Sequence, residues 1–283
     1  SATGAPADPK IIAGFKNHAF FAGMSSNPQE LIFTAPYSIN SFSVANGAGS
    51  ISIDSPITAL TVFREELFIF AEERIYKLAG NTVADFVLQP VTREIGCKNG
   101  FTVQEFAGDI VFLGPDGLRS VAATERIGDV ELGTISLPVQ ERFEGIVDPD
   151  EFDSLVIPDK TQYRIFFTNR SERNQAQTKG IICVRKGDSY EFSETKGIQP
   201  SSTDYLISSG TTYVLHGGYD GYVYRQEQGN DFDGSTIVGR YRSPDIVAGD
   251  AGIRKNFQRV IINYAPTGTL NADLFLRYDY EAP

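Results

Sequence analysis

From Lys10 onward the chain runs in short stretches of alternating or continuous apolar residues, each broken by turn residues. Alternation with a period of two is the signature of strands, and continuous apolar runs of this length suit strands buried on both faces. Helical periodicity is nearly absent: only Leu137 to Phe143 is predicted to make a turn or short helix. The pattern predicts an all-β protein. Residues 1–9, Ser-Ala-Thr-Gly-Ala-Pro-Ala-Asp-Pro, read as a flexible tail, and residues 10–283 as a single domain.

Three segments repeat one plan of strand, polar turn, apolar strand, turn and strand. They run from Ile57 to Leu78, Phe101 to Val121 and Tyr205 to Arg225. Pro115-Asp116-Gly117 and Tyr219-Asp220-Gly221 supply the positive-φ residue that a hairpin turn needs. Weaker copies lie at Ile11 to Ala22 and at Ser154 to Thr168 followed by Gly180 to Val184. The first two clear copies begin about 44 residues apart, at Ile57 and Phe101. That spacing suits a four-stranded propeller blade of ~40–50 residues, so the chain has room for about six blades, some irregular. One blade cannot cover both of its faces, whereas blades stacked in series cover each other. The rival architecture is a β-sandwich with long connections, which alternation alone does not separate from a propeller. The last region, Thr236 to Asp279, either closes the ring with the N-terminal strands or stands apart.

Composition narrows the function. With 41% hydrophobic residues, 20 Phe and 13 Tyr, the chain has ample material for a core, and wholesale disorder is excluded. Lys and Arg number 25 against 36 Asp and Glu, a net charge of −11. A protein that grips nucleic acid by its phosphates is expected to be basic, so tight nucleic-acid binding is not expected. No run approaches the ~18 apolar residues of a membrane span, and the N-terminus lacks the features of a signal peptide. The two cysteines, Cys97 and Cys183, are expected as buried thiols rather than a disulfide.

Catalytic and metal signatures are weak. A triad would need one of only two histidines, His18 and His216, and nothing beside either marks a nucleophile. His18 reads as a turn residue and His216 as a strand-end residue. Cys97, Cys183 and the histidines are scattered singly, without the close pairs of a zinc site. The stretches Asp148 to Asp153 and Asn230 to Gly234 faintly resemble calcium loops but lack the closing Glu of an EF-hand, so they read as solvated acidic loops. No phosphate-cradling glycine loop is present. The expectation is a protein that is not an enzyme, with no cofactor.

Charge, however, is segregated. Eight acids against Arg142 alone lie between Asp129 and Asp153, and seven bases against Glu172 alone lie between Lys160 and Lys186. Either these are solvated loops, or an acidic patch of one copy docks on a basic patch of the next, through Asp148, Asp150 and Asp153 against Arg164, Arg170 and Arg173.

Ile57 to Gly80, with its Ile-Thr-x-Leu, Phe-Arg, Leu-Phe-Ile-Phe and Ile-Tyr-x-Leu, resembles the central propeller of short-tailed phage tail proteins. These are the nozzle, or tail tubular protein B, and related stabilisation proteins. The resemblance continues through Asp85-Phe86, Ile95-Gly96-Cys97, Ile110 to Asp116-Gly117, and Thr124, Arg126, Ile127 and Asp129. Gly23, Asn27-Pro28, Leu31 to Phe33 and Ser41-Phe42 fit it too, whereas Ala123-Thr124 stands where the family usually has Gly-Thr. It is good over residues 11–143 and loose after that, and its motifs are structural. It implies a virion protein made in the bacterial host cytoplasm, one subunit of a homo-oligomeric ring, a hexamer, beneath the portal and adaptor. Its partners would be further copies of itself and tail adaptor and fibre proteins, with DNA as passing cargo and no membrane insertion. A loop such as Pro36-Tyr37-Ser38-Ile39 would supply a channel constriction. A second reading is a propeller that binds glycan or a host surface protein, with Gly218-Tyr219-Asp220-Gly221-Tyr222 offering rings for sugar stacking.

Overall fold

The computed structural model describes residues 4–121, 134–144, 151–168, 179–187, 189–198, 200–232, 234–243, 246–250, 252–263, 265 and 271–277. The strands form a succession of antiparallel meanders, each built from consecutive strands. The first sheet holds β1 (Ile11–Phe15), β2 (His18–Ala22), β3 (Glu30–Phe33) and β4 (Gly49–Ser52). The second holds β5 (Ile57–Phe63), β6 (Glu66–Ala71), β7 (Ile75–Ala79) and β8 (Val87–Thr92). The third has three strands, β9 (Gln104–Phe106), β10 (Asp109–Gly114) and β11 (Gly117–Ser120). The fourth holds β12 (Glu151–Ile157), β13 (Gln162–Thr168), β14 (Lys179–Lys186) and β15 (Ser189–Lys196). The fifth is β16 (Pro200–Ser208), β17 (Thr211–Gly218) and β18 (Val223–Arg225). Every repeat seen in the sequence falls on one of these sheets, and Leu137 to Phe143 forms a 3-10 turn leading into the short helix Gln140–Glu144.

The central strands show why the sheets stack. In β6, Leu67, Ile69 and Ala71 enter one apolar cluster with Phe15, Phe20, Leu31 and Phe33 of the first sheet. Phe68 and Phe70 of the same strand enter another, with Ile110 and Phe112 of the third sheet. In β10, Val111 and Leu113 point the other way, to Tyr163, Ile165 and Ile181 of the fourth sheet. A strand with apolar residues at every position therefore serves two neighbours at once. Each such side chain stabilises the fold by roughly 1.5–3 kcal/mol on burial. A sandwich sheet buries one face, whereas the second, third and fourth sheets here bury both. The first strands also lie side by side, β1 next to β5 and β12 next to both β9 and β16. These are stacked propeller blades. Five blade-like sheets are described, where the repeat spacing predicts about six.

The chain divides into two compact units, Ser1–Gln226 and Glu227–Pro283. Among the described residues of the second unit, the only paired strands are the short ribbon of β19 (Asp231–Phe232) and β20 (Ser235–Thr236).

Candidate functional site

Four blades open with a hairpin whose two-residue turn holds both residues at positive φ. These are Lys16-Asn17, Arg64-Glu65, Ala107-Gly108 and Ser209-Gly210. Such turns match the twist of the strands they join. The turns of neighbouring blades are tied together in chain order. Lys16 of the first pairs with Glu65 of the second. Arg64 Nη2 of the second donates to the Gly108 carbonyl of the third at 2.7 Å. Arg185 Nη1, from the fourth blade, donates to the Ala107 carbonyl at 2.7 Å. A chain of side-chain links thus runs along the turns of the first three blades to Arg185 of β14 in the fourth.

Among the motif residues that carry the family resemblance, Ile95-Gly96-Cys97 form a joint between the second and third blades. Cys97 N–H donates to the Ala71 carbonyl at 2.9 Å, so the linker from the second to the third sheet lies flat on the end of β6. Gly96 permits this: a Cβ there would lie 2.2 Å from the Glu72 carbonyl oxygen and 2.4 Å from that of Ala71. Ile95 and Cys97 fill the cluster between these two sheets. Thr102 then donates to the Asn99 carbonyl at 2.6 Å and accepts from Leu113 N–H at 3.1 Å. Its own carbonyl takes the Tyr163 hydroxyl of the fourth sheet at 2.8 Å, and Ser154 Oγ donates to the Phe101 carbonyl at 2.5 Å. Both cysteines are free and buried, as expected, and burial pushes their thiols up to about 11 for Cys97 and about 12 for Cys183.

Asp116 and Gly117 tie the β10–β11 hairpin to the segment that follows it. Arg119, fully buried, donates from Nε and Nη2 to the two Asp116 oxygens at 2.6 Å each. Thr134 Oγ1 adds a bond of 2.7 Å. Burial alone would raise the Asp116 carboxyl, but the Arg119 and Thr134 bonds outweigh it and hold it below the usual range. Gly117, at φ 139°, leaves room for Ser136 Oγ, which a Cβ would approach to 2.3 Å and which accepts from Leu118 N–H at 3.1 Å. Thr124, Arg126 and Asp129 lie outside the described residues.

The proposed docking residues fare differently. Asp148, Asp150, Arg170 and Arg173 lie outside the described residues. Arg164 is 5% exposed, with Nη1 on Gln226 Oε1 at 2.9 Å and Nη2 on Gln162 Oε1 at 2.7 Å. It faces the fifth sheet inside the fold and cannot meet another subunit. Asp153 also faces inward, accepting from Thr203 Oγ1 at 2.5 Å, and burial raises its carboxyl. Together they form a polar seam between the fourth and fifth sheets, whose apolar cluster is only Leu155, Ile157 and Val214. His216 belongs to this seam, paired across strands with Thr203 and Tyr224 and stacked on the Tyr224 ring at 5.1 Å. Desolvation lowers its pKa, partly opposed by Asp220. His18 is no turn residue: it opens β2, buried among Phe20, Phe33 and Phe86, with Nδ1 2.5 Å from the Thr34 carbonyl.

No protein-family model and no curated protein matches this chain. Among solved structures it is similar to the N-terminal domain of Nup159, with 11% identity over 78% of this chain and a TM-score of 0.46. It spans 61% of the length of that domain. A second similar chain comes from the S. cerevisiae complex of Dbp5 bound to Nup159, Gle1, IP6 and ADP, with 11% identity over 79% of this chain and 75% of that one, and a TM-score of 0.35. The blade arrangement rests on the sheet pairing and core clusters described above.

Exposed aromatic and apolar residues among the described ones include those of two short loops. Tyr37 and Ile39 stand at the tip of the Pro36–Ile39 loop, which is tied down by Tyr37 N–H on the Asn17 carbonyl at 2.8 Å. At the turn from β17 to β18, Asp220 accepts from Tyr224 OH at 2.5 Å and Tyr222 N–H at 3.1 Å, and the Tyr222 ring is exposed. Among the described residues no group of three or more His, Cys, Asp or Glu is placed to hold a metal ion. No described helix is long and apolar enough to cross a membrane.

Proposed function

We propose that this chain is a propeller-type module that works by holding macromolecular partners, and that its specific role is a scaffold subunit of a short-tailed phage tail, in the ring beneath portal and adaptor. One observation carries this reading. The residues behind the resemblance are structural: Ile95-Gly96-Cys97 fix the third blade on the second, and Asp116-Gly117 lock the β10–β11 hairpin to the segment that follows it. A rigid stack with cross-linked turns suits a part under mechanical load, and a net charge of −11 suits a wall that lets DNA pass without gripping its phosphates. Quantitative mass spectrometry of purified particles tests it. The expected result is a copy number in simple ratio to the portal, and absence from particles that contain the portal overturns it.

The second reading is a glycan-binding module, favoured by the exposed Tyr222 ring beside the anchored Asp220 carboxylate. A ring face with a fixed acceptor beside it is the arrangement a sugar needs. A glycan array distinguishes it: reproducible binding that Tyr222→Ala removes supports this reading, and a blank array removes it.

A further inference from the structure

The turn from β17 to β18 is built around one carboxylate. Gly218 N–H donates to the Tyr222 carbonyl at 2.8 Å and closes the turn. Inside it, Asp220 accepts from Tyr222 N–H through Oδ1 and from Tyr224 OH through Oδ2. Gly218 leaves the room for this, since a Cβ there would lie 2.4 Å from Asp220 Oδ1 and 3.0 Å from the Tyr224 ring. The Tyr224 hydroxyl, and after it Tyr222 N–H, hold the carboxyl below its usual range, so it is ionised at neutral pH. Asp220 is exposed, and each oxygen of an ionised carboxylate has capacity for a second bond.

Three rings stand in series beside it. His216 stacks on Tyr224 at 5.1 Å, and Tyr222 meets Tyr224 edge-on at 6.4 Å. His216 and Tyr224 are partly buried, whereas Tyr222 is 70% exposed. A tyrosine braced in this way loses little freedom on binding and offers an apolar ring at small entropic cost. The charge at this end of the hairpin has one sign. Between Thr211 and Arg225 the only Asp, Glu, Lys or Arg side chains are Asp220 and Arg225. The Arg225 guanidinium lies 4.2 Å from the centre of the Tyr213 ring. Arg225 pairs with Leu215, and Tyr213 is two residues further from the turn, so this base leans away from Asp220. Desolvation lowers the pKa of His216 and leaves it neutral at pH 7.

We propose that this turn selects neutral pyranose sugars and rejects carboxylated and sulfated ones. The C–H face of the sugar lies on the Tyr222 ring, and its hydroxyls donate to the Asp220 oxygens. An ionised carboxylate only accepts, so it matches hydroxyl donors and no anionic group. A carboxylate or sulfate on the sugar about 4 Å from Asp220 would lose about fivefold in affinity even at the dielectric of water. The proposal rests on the glycan reading above and names the class of sugar for that same site.

Matched pairs of glycans test it, each pair a neutral sugar and its sialylated or sulfated form immobilised at equal density. The full chain is titrated over them as wild type, Tyr222→Ala and Asp220→Asn. The wild type is expected to bind the neutral member at least about fivefold more tightly than the acidic one. Tyr222→Ala is expected to bind neither. Asp220→Asn keeps the shape and loses the charge, so it should bind the neutral member about tenfold more weakly while the gap between the two members closes. A turn that had merely loosened would weaken both members alike and leave the gap in place. A wild type that binds the acidic member as tightly as the neutral one overturns the proposal and leaves the glycan reading standing. So does a gap that persists in Asp220→Asn. Binding to no glycan, or binding that survives Tyr222→Ala, overturns both.

Discussion

Gly96 occupies a position with no room for a side chain, because two carbonyl oxygens of the strand end it crosses lie within 2.4 Å of where a Cβ would be. Gly96→Ala must push the linker off β6 or break the Cys97 bond to Ala71, and overpacking of this kind costs about 1–3 kcal/mol. A fall in the urea midpoint with an unchanged slope is the expected result; an unchanged midpoint would mean the linker is free to shift. The pair of Asp116 with Arg119 is more consequential, since Arg119 is fully buried and would be left without its bidentate partner. Asp116→Ala is expected to cost about 3–5 kcal/mol at neutral pH. The folded carboxyl titrates below the ordinary value of 3.8, so its contribution is complete above that value and is lost as pH falls through the folded one. Acid titration of the two proteins should therefore bring their stabilities together near and below pH 3.8, and a gap that stays constant to lower pH would assign the loss to packing instead. Both positions were visible in the sequence only as motif letters. What Gly96 meets depends on a strand end more than twenty residues earlier, and Arg119 gave no sign of burial, since an arginine in a strand is most often solvated.

At the scale of the element, alternation and turn residues made the strands legible, and the three repeats fall on three meanders. The hairpin turns were less so. Gly117 and Gly221 mark turns as glycines should, but Lys16, Arg64 and Glu65 hold positive φ in residues that mostly avoid it. Their side chains explain the choice, because Lys16, Glu65 and Arg64 link one turn to the next, and such links are contacts between blades that no local pattern encodes. The seam between the fourth and fifth sheets was likewise hidden: Asp153 and Arg164 read as surface charges, yet register turns both inward. This seam has the smallest apolar cluster and half-buried His216, so the fifth blade should open most readily. Hydrogen exchange of residues 200–226 is expected to be about tenfold faster, or more, than of residues 57–79, after correction for intrinsic rates. His216 has a lowered folded pKa, so the open state takes up a proton first, and acidification below about 6.5 should widen the difference. Asp153, whose carboxyl is raised, acts in the opposite sense as pH approaches 4, so the effect should level off there. Equal protection of the two blades at pH 7.5 and 5.5 would contradict the weak seam.

For the whole molecule, the doubly apolar strands made serial stacking legible, whereas the end of the series was not. Residues 254–263 and 271–277 have the pattern of strands but no paired neighbours, because pattern states what a strand could bury and not where a sheet exists to receive it. Charge is the other property of the whole chain, and it bears on DNA. With 36 acids against 25 bases, association with a duplex releases few counterions and meets repulsion at long range. At 150 mM salt the protein should bind a short duplex more weakly than ~100 μM, the weak limit of ordinary non-specific binding. Fluorescence anisotropy of a labelled duplex checks this directly. Binding in the micromolar range that weakens steeply with salt would reveal a basic groove that the overall balance conceals. It would also turn the reading from a wall past which DNA slides to a surface that grips it. Weak binding at every salt concentration is the behaviour a channel needs, since each phosphate contact formed would have to be broken again as the next one passes.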